Sequence, residues 1–463
     1  MAEDWTTFGV DLHLDLSAPS GRRASLERAL RDAIRSGRLA PGARLPSTRA
    51  LAAELGTSRG TVTAAYDQLV AEGYLVGRHG SGTVVADLTG MRALVPSAQP
   101  PVAAPRYDLR PGTPDVTTFP VAAWLRSARR ALSNAPASAF GYGDPAGQIP
   151  LRAALAEYLG RARGVLARPE QIVITTGYVQ ALALLARIVG RDGAIAMEDP
   201  GLPFHRSVVE RAGVGVAPLP VDSDGARTDI LAAMDVAACV LTPAHQYPLG
   251  MTLHPQRRHD AAEWARRRGG LIIEDDYDGE FRYDRQPVGA MQGIAPDHVV
   301  YVGTASKTLG PALRLAWVVL PARLVEPFTD AKRHTDLHSD LISQLTLADL
   351  IRTHAYDRHV RAGRLRYRRR RDALVRRLST VPDVTVEGVA AGLHAVVRPA
   401  DRGGVDAVLA EAASNGLALD QVARHWHQPR HGESGLIVGY GTPPEGRYRA
   451  ALDVLVRALR AAA

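Results

Sequence analysis

Cysteine and long apolar runs are nearly absent from this sequence. Its single cysteine, Cys239, excludes a framework of internal disulfides and predicts a cytoplasmic protein, since the cytoplasm keeps thiols reduced. The apolar run ALALLARIVG is too short to span a bilayer and contains Arg187. The N-terminal residues include acids where a signal peptide carries bases. We therefore expect neither secretion nor a membrane partner.

Lysine is also scarce. Of the 56 lysines and arginines together, only Lys307 and Lys332 are lysines. Arginine keeps its charge but cannot form the imine that a primary amine forms, so a retained lysine is a candidate for chemistry. The net charge of +8 permits nucleic-acid binding without requiring it.

The 463 residues exceed what one hydrophobic core usually organises, which predicts more than one domain. A short N-terminal arm (1–20) precedes a compact block of helical signals that ends in glycine-rich strands (21–86). A segment rich in proline and alanine (87–106) is typical of a linker. From 107 to 463, strand-like apolar runs alternate with helical patterns, which predicts an α/β domain.

The block 21–86 has the pattern of a helix-turn-helix followed by a wing. An amphipathic helix precedes two further helices, with Ser47 as the N-cap of one and Thr57 or Ser58 as the N-cap of the other. A short turn containing Gly56 separates these two helices. Two short strands around RHGSG then form the wing.

The charge of this block favours DNA binding. Ten arginines stand against five acids over these residues. Polar side chains at the start of the second helix of the motif are of the types that reach base edges and phosphates. The N-terminus of the helix before it also favours phosphate, through its backbone amides. A three-helix scaffold with solvated arginines is the alternative interpretation.

The run PGARLPSTRALAAELGTSRGTVTAAYDQLVAEGYLVGRHGSGTVV resembles the GntR-type winged helix, and the resemblance covers the whole block. In that family the PSTR segment, the second helix and the wing contact the operator. The resemblance therefore implies double-stranded operator DNA as a partner. The implied contact residues are Arg44, Ser47, Arg49, Ser58, Arg59, Thr61 and Gly82.

In the large domain, the stretch GTASKTLGPALRLAW surrounds Lys307 with groups suited to a phosphate. Thr304 and Ser306 offer hydroxyls, and Arg314 offers a guanidinium fork. An imine-forming lysine needs such groups nearby, because they hold the phosphate of its cofactor in place. A surface loop with a spare lysine is the alternative.

Upstream, the stretch GLIIEDDYDGEF places acids at the end of a buried parallel strand. Asp275 would keep a pyridine nitrogen protonated, and Tyr277 would hydrogen-bond a phenolic oxygen of the same ring. Asp276 and Asp278 are alternatives for the first role, because spacing alone does not choose among the acids. A metal site is a further alternative, although no histidine stands at ligand spacing. A strand-turn-helix has Gly177 at its turn, which lets the backbone amides at the helix N-terminus approach a phosphate.

In their order these motifs resemble a fold-type I aminotransferase, and joined to the GntR-type block they resemble the MocR subfamily of regulators. The runs YDLRPGTPDVTTFP, YGDPAGQIPLRAALAEYLGRARGV, TPAHQYPLG and IEDDYDGEFRY are similar to motifs that recur in that subfamily. The implied fold is α/β, a winged helix-turn-helix plus a mostly parallel-sheet domain with large and small subdomains. The implied cofactor is pyridoxal 5'-phosphate, and no metal is implied.

The resemblance also implies a role for each matching residue. Lys307 is implied to form the aldimine with the cofactor, and Arg424 to capture the carboxylate of an amino-acid effector. Tyr142 is implied to reach the phosphate of a neighbouring subunit, which makes the protein a homodimer. The remaining implied cofactor ligands are Asp275 at the pyridine nitrogen, Tyr277 at the phenolic oxygen, and Gly177, Tyr178, Thr304 and Arg314 at the phosphate.

The expected function is a transcription regulator that senses an amino compound, or the vitamer itself, at Lys307. A working aminotransferase with an accessory DNA-binding module is the alternative, and the fused DNA-binding block favours the regulator. One departure concerns the effector pocket, because Leu202 stands where the family usually shows an aromatic residue, with Phe204 and His205 following. The arginine-rich stretch 358–378 predicts a long helix with a basic solvent-facing side.

Overall fold

The computed structural model of the chain describes residues 21–78, 82–87, 104–284, 288–400, 404–428 and 434–462. They form two compact units, and the boundary between the units lies between Ala103 and Ala104, inside the predicted linker. The predicted arm 1–20, the wing tip 79–81 and linker residues 88–103 lie outside the described residues.

The first unit is a winged helix-turn-helix, as predicted. Its β-strands pair antiparallel, with Arg78 opposite Gly82 on either side of the wing tip. The elements are α1 (Arg22–Arg35), α2 (Thr48–Glu54), α3 (Arg59–Ala71), β1 (Leu75–Arg78) and β2 (Gly82–Val85).

Side chains at helical spacing form the core of this unit. Leu26 and Leu30 of α1 are buried in one cluster with Leu51 of α2 and with Tyr66 and Leu69 of α3. The Tyr66 hydroxyl donates to the Pro46 carbonyl at 3.1 Å, which fixes the segment that leads into α2. The apolar stripes expected from the sequence are therefore confirmed.

The second unit is an α/β domain. Its helices are α4 (Val121–Ser133), α5 (Ile149–Arg163), α6 (Tyr178–Val189), α7 (Pro203–Arg211), α8 (Pro255–Arg268), α9 (Ala322–Asp336), α10 (Leu341–Arg352), α11 (Ala355–Leu378), α12 (Gly404–Ser414) and α13 (Glu445–Ala461). Its strands are β3 (Tyr107–Asp108), β4 (Ile172–Thr175), β5 (Ala194–Asp199), β6 (Val216–Asp222), β7 (Gly225–Ala226), β8 (Val236–Leu241), β9 (Leu271–Asp276), β10 (Val299–Thr304), β11 (Ala316–Val319), β12 (Val384–Glu387), β13 (His394–Pro399), β14 (Leu417–Ala418), β15 (Asp420–Gln421) and β16 (Leu436–Gly439).

The main sheet has the strand order β4-β11-β10-β9-β8-β5-β6-β7. The five strands from β10 to β6 run parallel, while β11 is antiparallel to both of its neighbours. Every residue of β9 and β10 is buried, as expected for parallel strands covered by helices on both faces. The carboxyl ends of β5, β8, β9 and β10 meet at one edge of the sheet, where α/β proteins bind ligands.

A smaller antiparallel sheet, in the order β12-β13-β16-β15, forms a second layer with α11, α12 and α13. Helix α11 is the long helix predicted from the arginine-rich stretch, with Val360 and Leu374 on its buried side and exposed arginines, among them Arg361 and Arg368, on the other. Across the described ranges, no helix combines the length and the apolar character that crossing a membrane requires.

Candidate effector cavity and DNA-binding surface

The predicted DNA contacts lie at the N-termini of α2 and α3. The Ser47 hydroxyl accepts a hydrogen bond from the Ala50 amide, and the Ser58 hydroxyl accepts one from the Thr61 amide, each at 3.1 Å. These caps confirm the predicted helix starts, with Ser58 rather than Thr57 as the second cap. Both N-termini face solvent, so their free amides and positive dipole ends are available to phosphates.

The base of the wing joins the same surface. Arg44 forms a β-bridge with Val84, and a Cβ placed on Gly82 would lie 3.3 Å from the Arg44 Nε. The side chain of Arg44 therefore lies directly over Gly82. The Arg59 Nε donates to the Thr48 hydroxyl at 3.5 Å, which brings the starts of the two helices together.

Ion pairing leaves this surface positive. Two acidic side chains of the unit are paired away from it, Glu27 with Arg23 at 2.7 Å and Glu72 with Arg31 at 2.8 Å. By contrast Arg44, Arg49 and Arg59 are exposed and have no acidic partner among the described residues. Uncompensated guanidinium groups beside helix N-termini are the donors that DNA phosphates and guanine edges accept.

In the second unit, a cavity of about 510 Å³ opens at the carboxyl edge of the main sheet. It brings together most of the side chains that were predicted to bind the cofactor. Those that line it are Tyr178, Asp275, Tyr277, Thr304, Lys307 and Arg314.

The three candidate acids after β9 have different partners. The Asp276 carboxylate is buried in an ion pair with Arg163 at 2.7 Å and accepts from the Tyr301 hydroxyl at the same distance. The Asp278 carboxylate lies 3.0 Å from the His245 Nδ1. Of the three acids, Asp275 is the one that lines the cavity. Burial raises the pKa of Asp275 well above its usual range, against the opposing effect of the Lys307 ammonium.

The two lysines of the chain also have different surroundings. Burial lowers the pKa of Lys307, while Asp278 and Asp275 act in the opposite direction, and its Nζ donates to the Gly112 carbonyl. Lys332 is fully buried, and its Nζ is paired with Asp336 at 2.8 Å. Of the two lysines, Lys307 is therefore the one that presents an amine to the cavity. The alternative interpretation, a spare lysine on a surface loop, does not fit this position.

An anion-binding corner lies where α6 begins. Gly177, the N-cap of α6, has a φ of 134°, and a Cβ placed on it would lie 2.6 Å from the Arg314 Nη2. The absence of a side chain at Gly177 thus lets the Arg314 guanidinium approach the helix N-terminus. Arg314 has no acidic partner among the described residues, and the hydroxyls of Thr304 and Ser306 lie 2.8 Å apart nearby on the cavity wall.

The tyrosines of the cavity differ in their hydrogen bonds. The Tyr277 hydroxyl donates to the His245 carbonyl at 3.0 Å. The Tyr178 hydroxyl is buried and has no hydrogen-bond partner among the described residues. Burial and the neighbouring Asp275 carboxylate raise the pKa of Tyr178 well above its usual range. Tyr178 is therefore an unsatisfied polar group on the wall of the cavity.

Several cavity residues were missed by sequence reasoning. Glu198 at the end of β5 accepts hydrogen bonds from the Thr242 amide at 3.0 Å and from the Gln246 amide group at 3.3 Å. Burial raises the pKa of Glu198 to about 7. Asp420 of the smaller sheet also lines the cavity. The turns EDPG and TPAHQYPLG had marked the strand ends that carry Glu198 and Thr242, but no charge pattern distinguished these residues.

At the family's usual aromatic position, Leu202 lines the cavity. Phe204 is exposed, whereas His205 lines the cavity with its ring centroid 4.6 Å from that of Tyr178. His394 of β13 is buried, lines the cavity, and has its Nε2 3.0 Å from the Pro248 carbonyl.

Two predicted site residues lie apart from the cavity of their own chain. Tyr142 is 90% exposed, next to the His338 ring. Arg424 is exposed on the short helical turn Val422–His425 and does not line the cavity.

Comparison with known proteins accounts for both units. Residues 22–85 match the bacterial regulatory proteins of the gntR family, and residues 108–421 match the aminotransferases of class I and II. The pyridoxine biosynthesis transcriptional regulator PdxR of Corynebacterium glutamicum is 31% identical over 447 residues, covering 95% of this chain and 96% of its own. The probable rhizopine catabolism regulatory protein MocR of Rhizobium meliloti is 34% identical and covers 93% of this chain and 92% of its own.

The chain belongs to the MocR subfamily of GntR-type transcription regulators. DNA is therefore a partner of this MocR-type regulator. Among solved structures, α-aminoadipate aminotransferase LysN of Thermus thermophilus, complexed with N-(5'-phosphopyridoxyl)-L-leucine, superposes with a TM-score of 0.68 at 23% identity. The match covers 77% of this chain and 92% of LysN, and it establishes the fold-type I architecture of the second unit.

Membership of this subfamily implies pyridoxal 5'-phosphate as the cofactor, and the cavity of the MocR-type regulator fits that group. A phosphate could be bound by the backbone amides at the start of α6, where Gly177 carries no side chain, and by the unpaired guanidinium of Arg314. A pyridine ring suits the cavity-facing carboxyl of Asp275, and the unsatisfied hydroxyl of Tyr178 is available to a bound group. An aldehyde suits the amine of Lys307, whose depressed pKa favours the neutral, nucleophilic form.

Proposed function

We propose that this MocR-type regulator senses a small amino compound, or the pyridoxal vitamer, through pyridoxal phosphate bound at Lys307, and that occupancy of the cavity alters operator binding. The observation that carries the proposal is the convergence of the Lys307 amine, the Asp275 carboxyl and the Arg314 guanidinium in one cavity. The same chain presents an uncompensated row of arginines at two helix N-termini.

When bound, pyridoxal phosphate supplies an aldehyde that condenses with primary amines and a ring that withdraws electrons. We assign the phosphate to the amide end of α6 at Gly177, to Tyr178, to the Arg314 guanidinium and to the Thr304 hydroxyl. Asp275 would keep the ring nitrogen protonated. An ion pair with the protonated nitrogen would stabilise the Asp275 carboxylate, which burial otherwise disfavours.

Tyr277 and Lys307 complete the site in this proposal. The Tyr277 hydroxyl, fixed by the His245 carbonyl, is placed to hydrogen-bond the phenolic oxygen of the ring. Lys307 would supply the amine that condenses with the aldehyde, and burial, which lowers the pKa of this amine, favours its neutral, nucleophilic form.

We also propose a homodimer, formed through the surface that surrounds Tyr142. Large apolar side chains are exposed on and beside α4, α5 and α10, which is unusual for a surface that stays in contact with water. In the dimer, Tyr142 of each protomer reaches the phosphate held by its partner. The exposed apolar residues are Val116, Val121, Leu125, Phe140, Tyr142, Ile149 and Ile342.

The chain then divides into an arm (1–20), the DNA-binding domain (21–86), a linker (87–106) and the effector and dimerisation domain (107–463). Contacts with operator DNA come from the two helix N-termini and the wing base. The residues that make these contacts are Arg44, Ser47, Arg49, Ser58, Arg59, Thr61 and Gly82.

Because its partner is DNA, we place the protein in the cytoplasm.

Absorbance spectroscopy of the purified protein with pyridoxal phosphate tests the proposal. We expect a visible band that borohydride bleaches, and a reduced adduct that peptide mass spectrometry places on Lys307. The Lys307→Ala variant should lack both the band and the adduct, yet bind DNA as well as the cofactor-free wild-type protein does. Lys332→Arg is the matched control, because it changes the other lysine and leaves the cavity intact.

Turnover separates the regulator from a working aminotransferase. For the sensor, added amino compounds change the spectrum and the affinity for a selected operator duplex without sustained formation of a carbonyl product. Steady release of carbonyl product would favour the enzyme. A wild-type protein that acquires no band with added pyridoxal phosphate would refute the proposed cofactor role.

A further inference from the structure

The Tyr277 hydroxyl is hydrogen-bonded to His245 at two points. It donates to the His245 carbonyl at 3.0 Å, and its oxygen lies 3.2 Å from the His245 Nδ1. Burial and the Asp278 carboxylate raise the pKa of Tyr277 well above its usual range, so the hydroxyl keeps its proton. A phenol has one proton to donate. Tyr277 therefore cannot donate to the His245 carbonyl and to a bound ring at the same time.

The Asp278 carboxylate holds the His245 ring. The His245 Nδ1 lies 3.0 Å from the Asp278 Oδ2, and the two side chains are 2% and 1% exposed. Because a carboxylate accepts hydrogen bonds and does not donate them, Nδ1 carries a proton. The same N–H is within reach of the Tyr277 oxygen. Asp278 thus orients the ring so that its Nδ1–H serves Tyr277 as well.

Two glycines leave room for this histidine and its carboxylate. A Cβ placed on Gly392 would lie 2.2 Å from the His245 Nδ1 and 2.6 Å from the Asp278 Oδ2. One placed on Gly250 would lie 3.3 Å from the His245 Nε2, which is buried and has no hydrogen-bond partner among the described residues. A ring that leaves one nitrogen unsatisfied is held by the bonds of the other. The contacts of Nδ1 therefore determine how the His245 ring is oriented.

The aromatic neighbours of this pair add no charge near neutral pH. The His394 ring lies 4.8 Å from the His245 ring, centroid to centroid, and burial lowers the pKa of His394 well below its usual range. The Tyr247 ring lies edge-on to Tyr277 at 6.4 Å, and burial raises the pKa of Tyr247. The charge that acts directly on the His245 ring is therefore that of Asp278.

We propose that His245 and Asp278 are positioning residues for Tyr277. When the cofactor is bound, the Tyr277 proton turns from the His245 carbonyl to the phenolic oxygen of the ring. The His245 Nδ1–H, oriented by Asp278, then donates to the Tyr277 oxygen, and a hydroxyl that accepts one hydrogen bond donates another more strongly. The inference rests on the proposed function and extends it to two residues behind the cavity wall, since neither His245 nor Asp278 lines the cavity.

The pH midpoint of the visible band, measured on the cofactor-loaded full-length protein, tests this inference. A hydrogen bond donated to the phenolic oxygen withdraws electron density from the ring, so its loss makes the loaded site hold its titrating proton more tightly. Tyr277→Phe should therefore raise the midpoint by about one pH unit. His245→Leu should raise it by about 0.3 unit or more, because the Tyr277 hydroxyl is then a weaker donor.

Two comparisons separate positioning from a merely structural role. Asparagine carries its amide nitrogen on Cγ, as histidine carries Nδ1, so His245→Asn keeps a donor near the same point and should return the midpoint toward that of the wild type. In a Tyr277→Phe background, His245→Leu should cause no further shift, because the group through which it acts is absent. A general disturbance of the cavity would shift the midpoint equally in both backgrounds.

His298→Leu is the matched control. This histidine is also partly buried and has an unsatisfied Nδ1, but it immediately precedes β10, at the end of the strand opposite the carboxyl edge of the sheet. The midpoint should not change in this variant. If His245→Leu does not fold, Asp278→Asn decides instead. It weakens the acceptor that orients the His245 ring, and it should raise the midpoint only where Tyr277 is present.

Any of four results would overturn the inference. They are a midpoint unchanged in Tyr277→Phe, a midpoint unchanged in His245→Leu, a shift that persists in full in the Tyr277→Phe background, and equal shifts for His245→Asn and His245→Leu. A wild-type band together with one of these results would leave the proposed function intact. A wild-type protein unable to acquire the band would refute both.

Discussion

The DNA-binding surface and the effector cavity both present arginine beside a helix N-terminus, but they do so in different surroundings. At the surface, Arg49 and Arg59 are solvated and their charges are left free. In the cavity, Arg314 lies over Gly177 on a wall that also holds the desolvated carboxyl groups of Glu198 and Asp275. In the function we propose, the same pairing of helix N-terminus and guanidinium serves two kinds of phosphate, that of DNA at the surface and that of the cofactor in the cavity.

This difference determines what a substitution should do in each region. A solvated arginine contributes to DNA binding with little effect on folding, because water replaces its contacts. A buried charge contributes to stability and to its pH dependence, because folding has already removed the water around it.

The largest effect is expected at the buried pair behind the cavity. Asp276→Asn leaves the Arg163 guanidinium without its carboxylate and should lower the free energy of unfolding by about 3–5 kcal/mol. Asp275→Asn should cause no such loss, since burial already disfavours that carboxylate, but it should abolish the cofactor-dependent response. Thermal denaturation of the cofactor-free proteins measures the contrast. Equal destabilisation by both substitutions would contradict the distinction between the neighbouring acids.

The next effect is a pH dependence at Glu198, whose pKa rises from 4.5 to about 7 on folding. The folded state holds the proton more tightly, so the free energy of unfolding falls as pH rises from 4.5 through about 7. Glu198→Gln cannot ionise and should remove about 3 kcal/mol of this dependence. Denaturant unfolding across that window, compared with the exposed control Glu210→Gln, checks the result. Parallel pH profiles for the two variants would show that Glu198 stays ionised in the fold.

Gly177→Ala should weaken the cofactor site with a smaller energy. The φ of 134° disfavours a side chain, and the added Cβ would displace the Arg314 guanidinium from the start of α6. Strain of about 1–3 kcal/mol corresponds to a loss of pyridoxal phosphate affinity of about tenfold or more. Fluorescence titration gives the Kd, and Gly215→Ala, where the nearest atom to a Cβ is 3.6 Å away, is the control. Unchanged affinity would show that Gly177 is not near the phosphate.

The smallest effects are expected at the DNA-binding surface. Arg49→Ala and Arg59→Ala should each cost about 1 kcal/mol of DNA affinity and reduce the slope of log K against log salt by about 1. Their melting temperatures should match that of the wild-type protein. Arg23→Ala, which removes an arginine paired with Glu27 on α1, is the control for DNA binding. If it lowered affinity equally, the DNA would contact a different face of the unit.

Sequence periodicity and turn chemistry anticipated the local structure well. The N-caps Ser47 and Ser58, the apolar stripe of α1 and the long helix α11 all follow from neighbours within a few residues, so they can be read from short windows. The choice among Asp275, Asp276 and Asp278 could not be made that way. It depends on Arg163 and His245, which the chain folding brings from distant elements.

By itself, the sequence determined the winged helix-turn-helix and the α/β class of the large domain, and it marked Lys307 as the candidate for imine chemistry. These properties depend on periodicity, capping and residue type, which act over short distances along the chain. The tertiary structure alone decided that Asp420 and Glu198 share a wall with Lys307, that Arg424 lies outside, and that Asp275 faces the cavity. Burial and pairing are properties of the packed chain, and they set the charge that an effector meets.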